Sequence, residues 1–173
     1  MMRSFLVLAW ALVLCTGCSS CTGQKKAEEK QHQQQEDIIE ANRRIVEEEA
    51  RLIDEYIAEN NLTMTKSRSG LRYSIEPLGS GETPKEGQMA IIEYESSFLD
   101  DSPLGPEGKS RMQIWVDQDH TIRGLLEGVQ MLRVGDSAKF ILPSHLAYGV
   151  QGIPGEVPSR ATVIFDVTLI AIN

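Results

Sequence analysis

The chain has 173 residues, a formal net charge of −8 and 41% hydrophobic residues. That is the balance of one ordinary globular domain with extensions, and it excludes a wholly disordered chain. The acidic balance argues against a nucleic-acid partner, because phosphate recognition leans on clustered Lys and Arg, and the grouping of all three cysteines (Cys15, Cys18, Cys21) at one end excludes a disulfide framework, a Cys-based zinc site and a cysteine nucleophile from the remainder.

Arg3 is the only charge in the opening stretch, and the apolar run Phe5–Leu14 follows it. Ten apolar residues fall short of the roughly 20 needed to span a bilayer core. A short basic start and a brief apolar run are the anatomy of a secretory signal. Cys15-Thr-Gly-Cys18-Ser-Ser-Cys21 then resembles a bacterial lipoprotein signal, in which a small residue precedes the cysteine that is cleaved and lipidated. Cys18, with Gly17 and Thr16 before it, fits best. Cys15 stands where that pattern usually has Leu, which leaves Cys21 as the alternative, beside a plain cleaved signal or an uncleaved anchor. The resemblance implies removal of residues 1–17 and a membrane anchor of acyl chains, each buried CH₂ contributing about 0.8 kcal/mol. With no acidic cluster after Cys18, it also implies the periplasmic face of the outer membrane.

Residues 18–37 are almost free of apolar side chains and read as a solvated tether or frayed helix. His32 within them has no partner at metal-ligand spacing. Residues 38–62 differ: Ile38, Ile39, Ile45, Val46, Leu52, Ile53, Tyr56 and Ile57 recur at helical spacing, which predicts an amphipathic leader helix ended by Asn60-Asn61. Its apolar stripe suits docking on the following domain or pairing with a second copy in a short coiled coil, a homodimer.

From residue 66 to 173 the pattern changes to period two. Leu71, Tyr73 and Ile75 alternate with Arg72, Ser74 and Glu76, and further strands are predicted over Met89–Phe98, around Met112 to Val116, over Ser137–Leu142 and over Ala161–Ile172. Thr63 to Ser69 reads as a polar connection. Gly124–Leu132 is the only short helical pattern, and a loop rich in Gly and Pro joins Pro143 to Ser159. These elements predict an α+β domain, an antiparallel five- to six-stranded half-barrel sheet wrapped around one short helix.

Catalytic chemistry of the usual kinds is missing. No Gly-rich strand-to-helix loop carries a Lys, His120 and His145 lack a nearby nucleophile, and Asp117-Gln-Asp119 lacks the glycine and glutamate of a calcium loop. Asp166, within the last strand, reads as structural. What remains is apolar and aromatic: Tyr94, Trp115, Tyr148 and Phe165.

Five blocks now stand in one order: Ile91-Ile-Glu-Tyr94; Thr121-Ile-Arg-Gly124 with Glu127-Gly128 and Val134-Gly135; Ala147-Tyr-Gly149; Gly155 through Pro158; and Ala161-Thr-Val-Ile-Phe-Asp-Val167. Together they make residues 66–173 resemble an FKBP-type peptidyl-prolyl isomerase. The helix ahead of Ser69-Gly-Leu71-Arg-Tyr is similar to the leader of the macrophage infectivity potentiator type, and to lipoprotein members of Bacteroidetes, some linked to gliding motility. The resemblance implies a proline isomerase needing no cofactor or metal, acting on proline-containing polypeptides in the cell envelope. It implies a pocket in which Tyr94, Ile122, Tyr148 and Phe165 act on the peptide. Leu104, Met112, Thr121 and Leu125 would line that pocket, with Ile153 and Val157 on an overhanging loop. The Ile122 N–H and the Tyr148 hydroxyl would donate hydrogen bonds. Plain sheet core is the other reading for Tyr94, Ile122 and Phe165.

The chain departs from the family pattern at four places. Leu125 stands for the usual floor Trp, Leu104-Gly105 for a Phe-Asp pair, Met112 for a Phe and Glu156 for an apolar residue. Asp100 or Asp101 would replace the missing carboxylate if the loop realigns. These departures lower the expected isomerase activity and tacrolimus-type binding. They favour, as the alternative, a catalytically weak FKBP-like chaperone or binding module in an envelope assembly.

Overall fold

Gln, Glu, Lys and Ala lose little side-chain freedom in a helix, so a tract made of them needs no apolar stripe to become helical. In the computed structural model, which describes residues 20–106, 108–116 and 122–173 (side chains from residue 30 onward), helix α1 accordingly runs from Ser20 to Glu59. The stretch expected as a solvated tether or frayed helix over 18–37 is thus helical from Ser20, ahead of the amphipathic helix expected from residue 38. Pairs three and four residues apart line its surface, among them Gln33 to Asp37 at 3.1 Å, Arg43 and Arg44 to Glu40, and Arg51 to both Glu48 and Glu55. Asn61, at φ +52°, turns the chain out of the helix while the Leu62 N–H closes back on the Ile57 carbonyl at 2.9 Å. Contacts divide the chain into two units, residues 1–46 and residues 47–173. Cys18, Asp117, Asp119, His120 and Thr121 lie outside the described residues.

Within residues 47–173 the strands are β1 (Thr65–Lys66), β2 (Arg72–Glu76), β3 (Met89–Phe98), β4 (Ser110–Trp115), β5 (Ser137–Leu142) and β6 (Val163–Ile172). They form one antiparallel sheet in the order β1-β2-β5-β6-β3-β4. Six strands agree with the expected α+β architecture. The two-residue β1 falls in the segment expected as a plain connection, where Thr65 and Lys66 give no alternation to detect.

Short helix α2 (Arg123–Val129) lies on the inner face of the sheet, and the pattern expected to continue it to Leu132 is a turn. Its glycines let it lie close. A Cβ at Gly128 would meet the Phe140 ring at 2.7 Å, and one at Gly124 the Leu142 side chain at the same distance. Around them Ile92, Ile114, Leu125, Val129, Phe140, Leu142, Phe165 and Leu169 are sealed from solvent, the dominant stabilising burial of the domain. Asp136, buried beside this core, accepts N–H bonds from Gly79 and Arg133 at 2.8 Å each and so ties the 79–81 turn to the sheet.

The outer face of the sheet carries a second cluster. Ile141 and Ile164 point outward and are covered by the last turns of α1, where Ile53 is fully buried with Tyr56, Ile57, Leu62, Met64 and Leu99 around it. That end of the helix therefore docks on its own domain. Farther up, Ile38, Ile39 and Val46 stay about half exposed. Docking also explains Arg72, which alternation assigns to a solvated face but which is 3% exposed. Its guanidinium reaches Asp54 of α1 at 2.7 and 3.1 Å and the Gly70 carbonyl at 2.8 Å. Asp166, on the outer face, pairs with Lys139 at 2.6 Å, a structural contact.

Candidate active site

Because β3 and β6 pair with Tyr94 opposite Val167 and Ser96 opposite Phe165, Tyr94 and Phe165 project from neighbouring strands onto the inner face. Their rings sit 5.8 Å apart, tilted by 49°, an arrangement that contributes beyond burial alone. Phe165 is 1% exposed and Tyr94 half-buried. Met112 of β4, partly buried, faces the same space.

Two loops complete the walls. In the β3–β4 loop (residues 99–109), Ser96 binds Leu104 twice: its carbonyl accepts the Leu104 N–H at 2.8 Å, and its hydroxyl donates to the Leu104 carbonyl at 2.7 Å. This folds Leu104, Gly105 and Pro106 over the cavity. In the β5–β6 loop (residues 143–162), the Ser144 carbonyl accepts the N–H groups of Ala147 at 3.0 Å and Gly149 at 2.7 Å, one on each side of Tyr148. A short hairpin follows, in which Ile153 and Val157 exchange two backbone hydrogen bonds of 2.9 and 2.8 Å and present Glu156.

The result is a cavity of about 250 Å³ lined by Tyr94, Leu104, Met112, Tyr148 and Phe165, with Ser96, Pro103, Gly105, Pro106, Ser110 and Glu156 at its edges. Burial first, then the neighbouring Tyr94 hydroxyl and Glu156 carboxylate, push the Tyr148 phenol above its ordinary pKa. It therefore stays a neutral donor across physiological pH. A larger hollow of about 320 Å³ opens on the outer face among Ser74, Glu93, Lys139, Asp166 and Thr168. Leu62, Met64 and Ala138 share its lining with these polar groups, and its lysines are engaged with Asp166 and Glu93.

The structure thus brings Tyr94, Leu104, Met112, Tyr148 and Phe165 to one cavity. Leu125 is fully buried in the core beneath and is absent from the lining. Ile122 immediately precedes α2, partly buried, with its carbonyl accepting the Leu126 N–H at 3.0 Å. Ile153 and Val157 form the base of the hairpin, Val157 being 4% exposed, and the residue they hold against the cavity is Glu156. Neither Asp100 nor Asp101 takes the place left by Gly105. Asp100 accepts from the Ser102 N–H at 3.0 Å, and Asp101 accepts from the Tyr56 hydroxyl at 2.9 Å. Burial first, then that bond to Asp101, push the Tyr56 phenol up to about 12. The wall residues Pro103 and Pro106 have no signal beyond the Pro/Gly density of the loop, and Ser96 none beyond sharing a face of β3 with Tyr94. Among the described residues no group of three or more His, Cys, Asp and Glu side chains is placed to hold a metal ion.

An open antiparallel sheet curved over one short helix, with an aromatic cavity between two of its loops, defines an α+β half-barrel. Residues 80–170 match the family model of the FKBP-type peptidyl-prolyl cis-trans isomerases, and the chain belongs to that family. It is 34% identical over 122 residues to the FKBP-type isomerase FkpA of Aeromonas hydrophila, covering 69% of this chain and 45% of that protein. It is also 34% identical over 105 residues to a probable FkpA of Neisseria meningitidis, covering 61% and 39%. The chain spans less than half the length of these curated relatives. The crystal structure of FkpA from Escherichia coli shares the fold, with a TM-score of 0.63 at 22% identity over 91% of this chain and 74% of that one.

Proposed function

We propose that this protein is a peptidyl-prolyl cis-trans isomerase that assists the folding of exported polypeptides in the bacterial cell envelope. The observation that carries this reading is the cavity itself: two aromatic rings and a Met around a space beside a neutral tyrosine hydroxyl. An Xaa-Pro bond turns slowly because rotation breaks amide resonance, a barrier of about 18–20 kcal/mol. The twisted amide is less polar across its C–N bond than the planar one. A site that sheds water around that bond and gives the carbonyl a donor therefore favours the twisted form over the ground state. Tyr148 supplies a hydroxyl donor and Ile122 a backbone N–H, with Phe165 and Tyr94 packing the proline ring. Acid, base and metal have no part in this chemistry.

The apolar run and the Cys15–Cys21 cluster support lipid attachment at Cys18, on the periplasmic side of the outer membrane. Mass spectrometry of the mature amino terminus is expected to show an acylated Cys18. An unmodified Cys18 removes the anchor from the reading. The partners are proline-containing polypeptides and, through the exposed Ile38, Ile39 and Val46 of α1, a second copy of the chain.

Proline-limited refolding of an unrelated substrate tests the activity. The full chain at micromolar concentration is expected to accelerate the slow phase, and Tyr148→Ala to remove at least about tenfold of that acceleration. No acceleration by the parent protein would replace the enzyme by a binding module built on the same cavity, a reading that Leu125 and Gly105 favour.

A further inference from the structure

Both loops that wall the cavity are tied at their bases to one face of α1, a segment lying ahead of the residues the family model matches. Glu49 is nine-tenths buried. One of its carboxylate oxygens accepts the Ser144 N–H at 2.5 Å and the Thr162 hydroxyl at 3.0 Å, and the other accepts the Ser144 hydroxyl at 3.1 Å. Ser144 and Thr162 stand at opposite ends of the loop that carries Tyr148, so a single side chain pins that loop shut. The link continues without a gap, because the Ser144 carbonyl holds the amides on either side of Tyr148. Two helical turns further on, the Tyr56 hydroxyl donates to Asp101 at 2.9 Å. Asp101, at φ +61°, lies in the turn that starts the other loop and folds Leu104 back on Ser96.

A buried carboxylate costs several kcal/mol unless its oxygens are satisfied, and packing α1 on the sheet does not call for an acid at this site. Ile53 and Arg72–Asp54 already supply an apolar and an ionic attachment. We infer that Glu49 and Tyr56 are positioning residues for the cavity, and that the end of the leader helix is a brace belonging to the catalytic unit. This rests on the isomerase reading above. An apolar site gains its selectivity for the twisted amide from walls held in place, and a displacement of about 1 Å from a remote change can cost on the order of a hundredfold in rate. Glu49→Gln keeps the shape but points an amide NH₂ at a donor. Tyr56→Phe removes one hydroxyl.

The test compares full-length Glu49→Gln, Tyr56→Phe and Asp54→Asn. The last loosens the same helix at Arg72, away from either loop. Three quantities are read: kcat and KM on a proline peptide, amide hydrogen exchange over residues 143–162 and 99–106, and Tm. Glu49→Gln is expected to lower kcat/KM about tenfold and Tyr56→Phe about threefold. Exchange should rise in the 143–162 loop for the former and in the 99–106 loop for the latter. Asp54→Asn is expected to lower Tm yet leave kcat/KM within about twofold and loop exchange unchanged. The brace is overturned if both loop-contacting variants lower Tm and leave kcat/KM untouched, or if Asp54→Asn reproduces their loss. Should Glu49→Gln fail to fold, Tyr56→Phe alone decides by the same two criteria. An inactive parent would refute the isomerase reading separately. The exchange data would then still rule on the brace, loop-confined change supporting it and uniform change refuting it.

Discussion

Replacing Phe165 with alanine is expected to cost about 3–5 kcal/mol of stability and to abolish acceleration of proline-limited refolding. The two losses have different causes. Phe165 is 1% exposed and belongs to the main core, so truncation leaves a void that α2 and the sheet fill only in part. The same ring stands 5.8 Å from Tyr94 and forms the apolar wall against which a proline would pack. Phe165→Leu separates the effects. It conserves much of the volume and is expected to cost less than about 1.5 kcal/mol while still removing most of the activity. Urea unfolding and the refolding assay on both variants check this. A leucine variant with full activity would return Phe165 to the core alone.

Gly152→Ala is expected to be the most damaging change in the β5–β6 loop. Gly152 sits at φ +60°, where an L side chain costs about 1–2 kcal/mol, and this is the smaller part. A Cβ there would meet the Val157 carbonyl oxygen at 2.3 Å and the Pro158 carbonyl oxygen at 2.6 Å, so backbone must move. The atoms that move are those of the Ile153–Val157 hairpin, which carries Glu156 against the cavity. A loss of about 3 kcal/mol and at least tenfold in kcat/KM is expected. Gly155, at φ +83°, has open space where a Cβ would go. Gly155→Ala is therefore expected to cost only about 1–2 kcal/mol, with activity largely kept. Thermal unfolding and peptide kinetics on the pair compare a clash with strain alone, and equal losses would contradict the distinction.

The strands were legible where one face is core and the other solvent. Met89–Phe98 has the extent that alternation predicts. What escaped is what depends on a third layer. Arg72 reads as solvated until α1 covers the outer face. The signal was present in Phe140-Ile141-Leu142 and Val163-Ile164-Phe165, where apolar residues run on without alternating, as strands buried on both faces do. The polar tract left tether and frayed helix both open because periodicity reports burial, whereas Gln and Glu favour helix through backbone and side-chain entropy. At the site, the ordered blocks located Tyr94, Tyr148 and Phe165. Glu49 was invisible, since one acid in Glu47-Glu48-Glu49 looks like its neighbours until distant parts of the chain, Ser144 and Thr162, fold onto it.

The last strand has a place in the middle. β6 is hydrogen-bonded to β5 on one side and β3 on the other. A chain delivered amino end first therefore carries β1, β2 and β5 as one fragment, and β3 and β4 as another, with nothing to join them. Residues 163–172 bring together partners far apart in sequence, which makes closure slow and leaves two unpaired strand edges exposed until that strand is made. Loss of residues 163–172 would therefore remove the centre of the sheet instead of an edge.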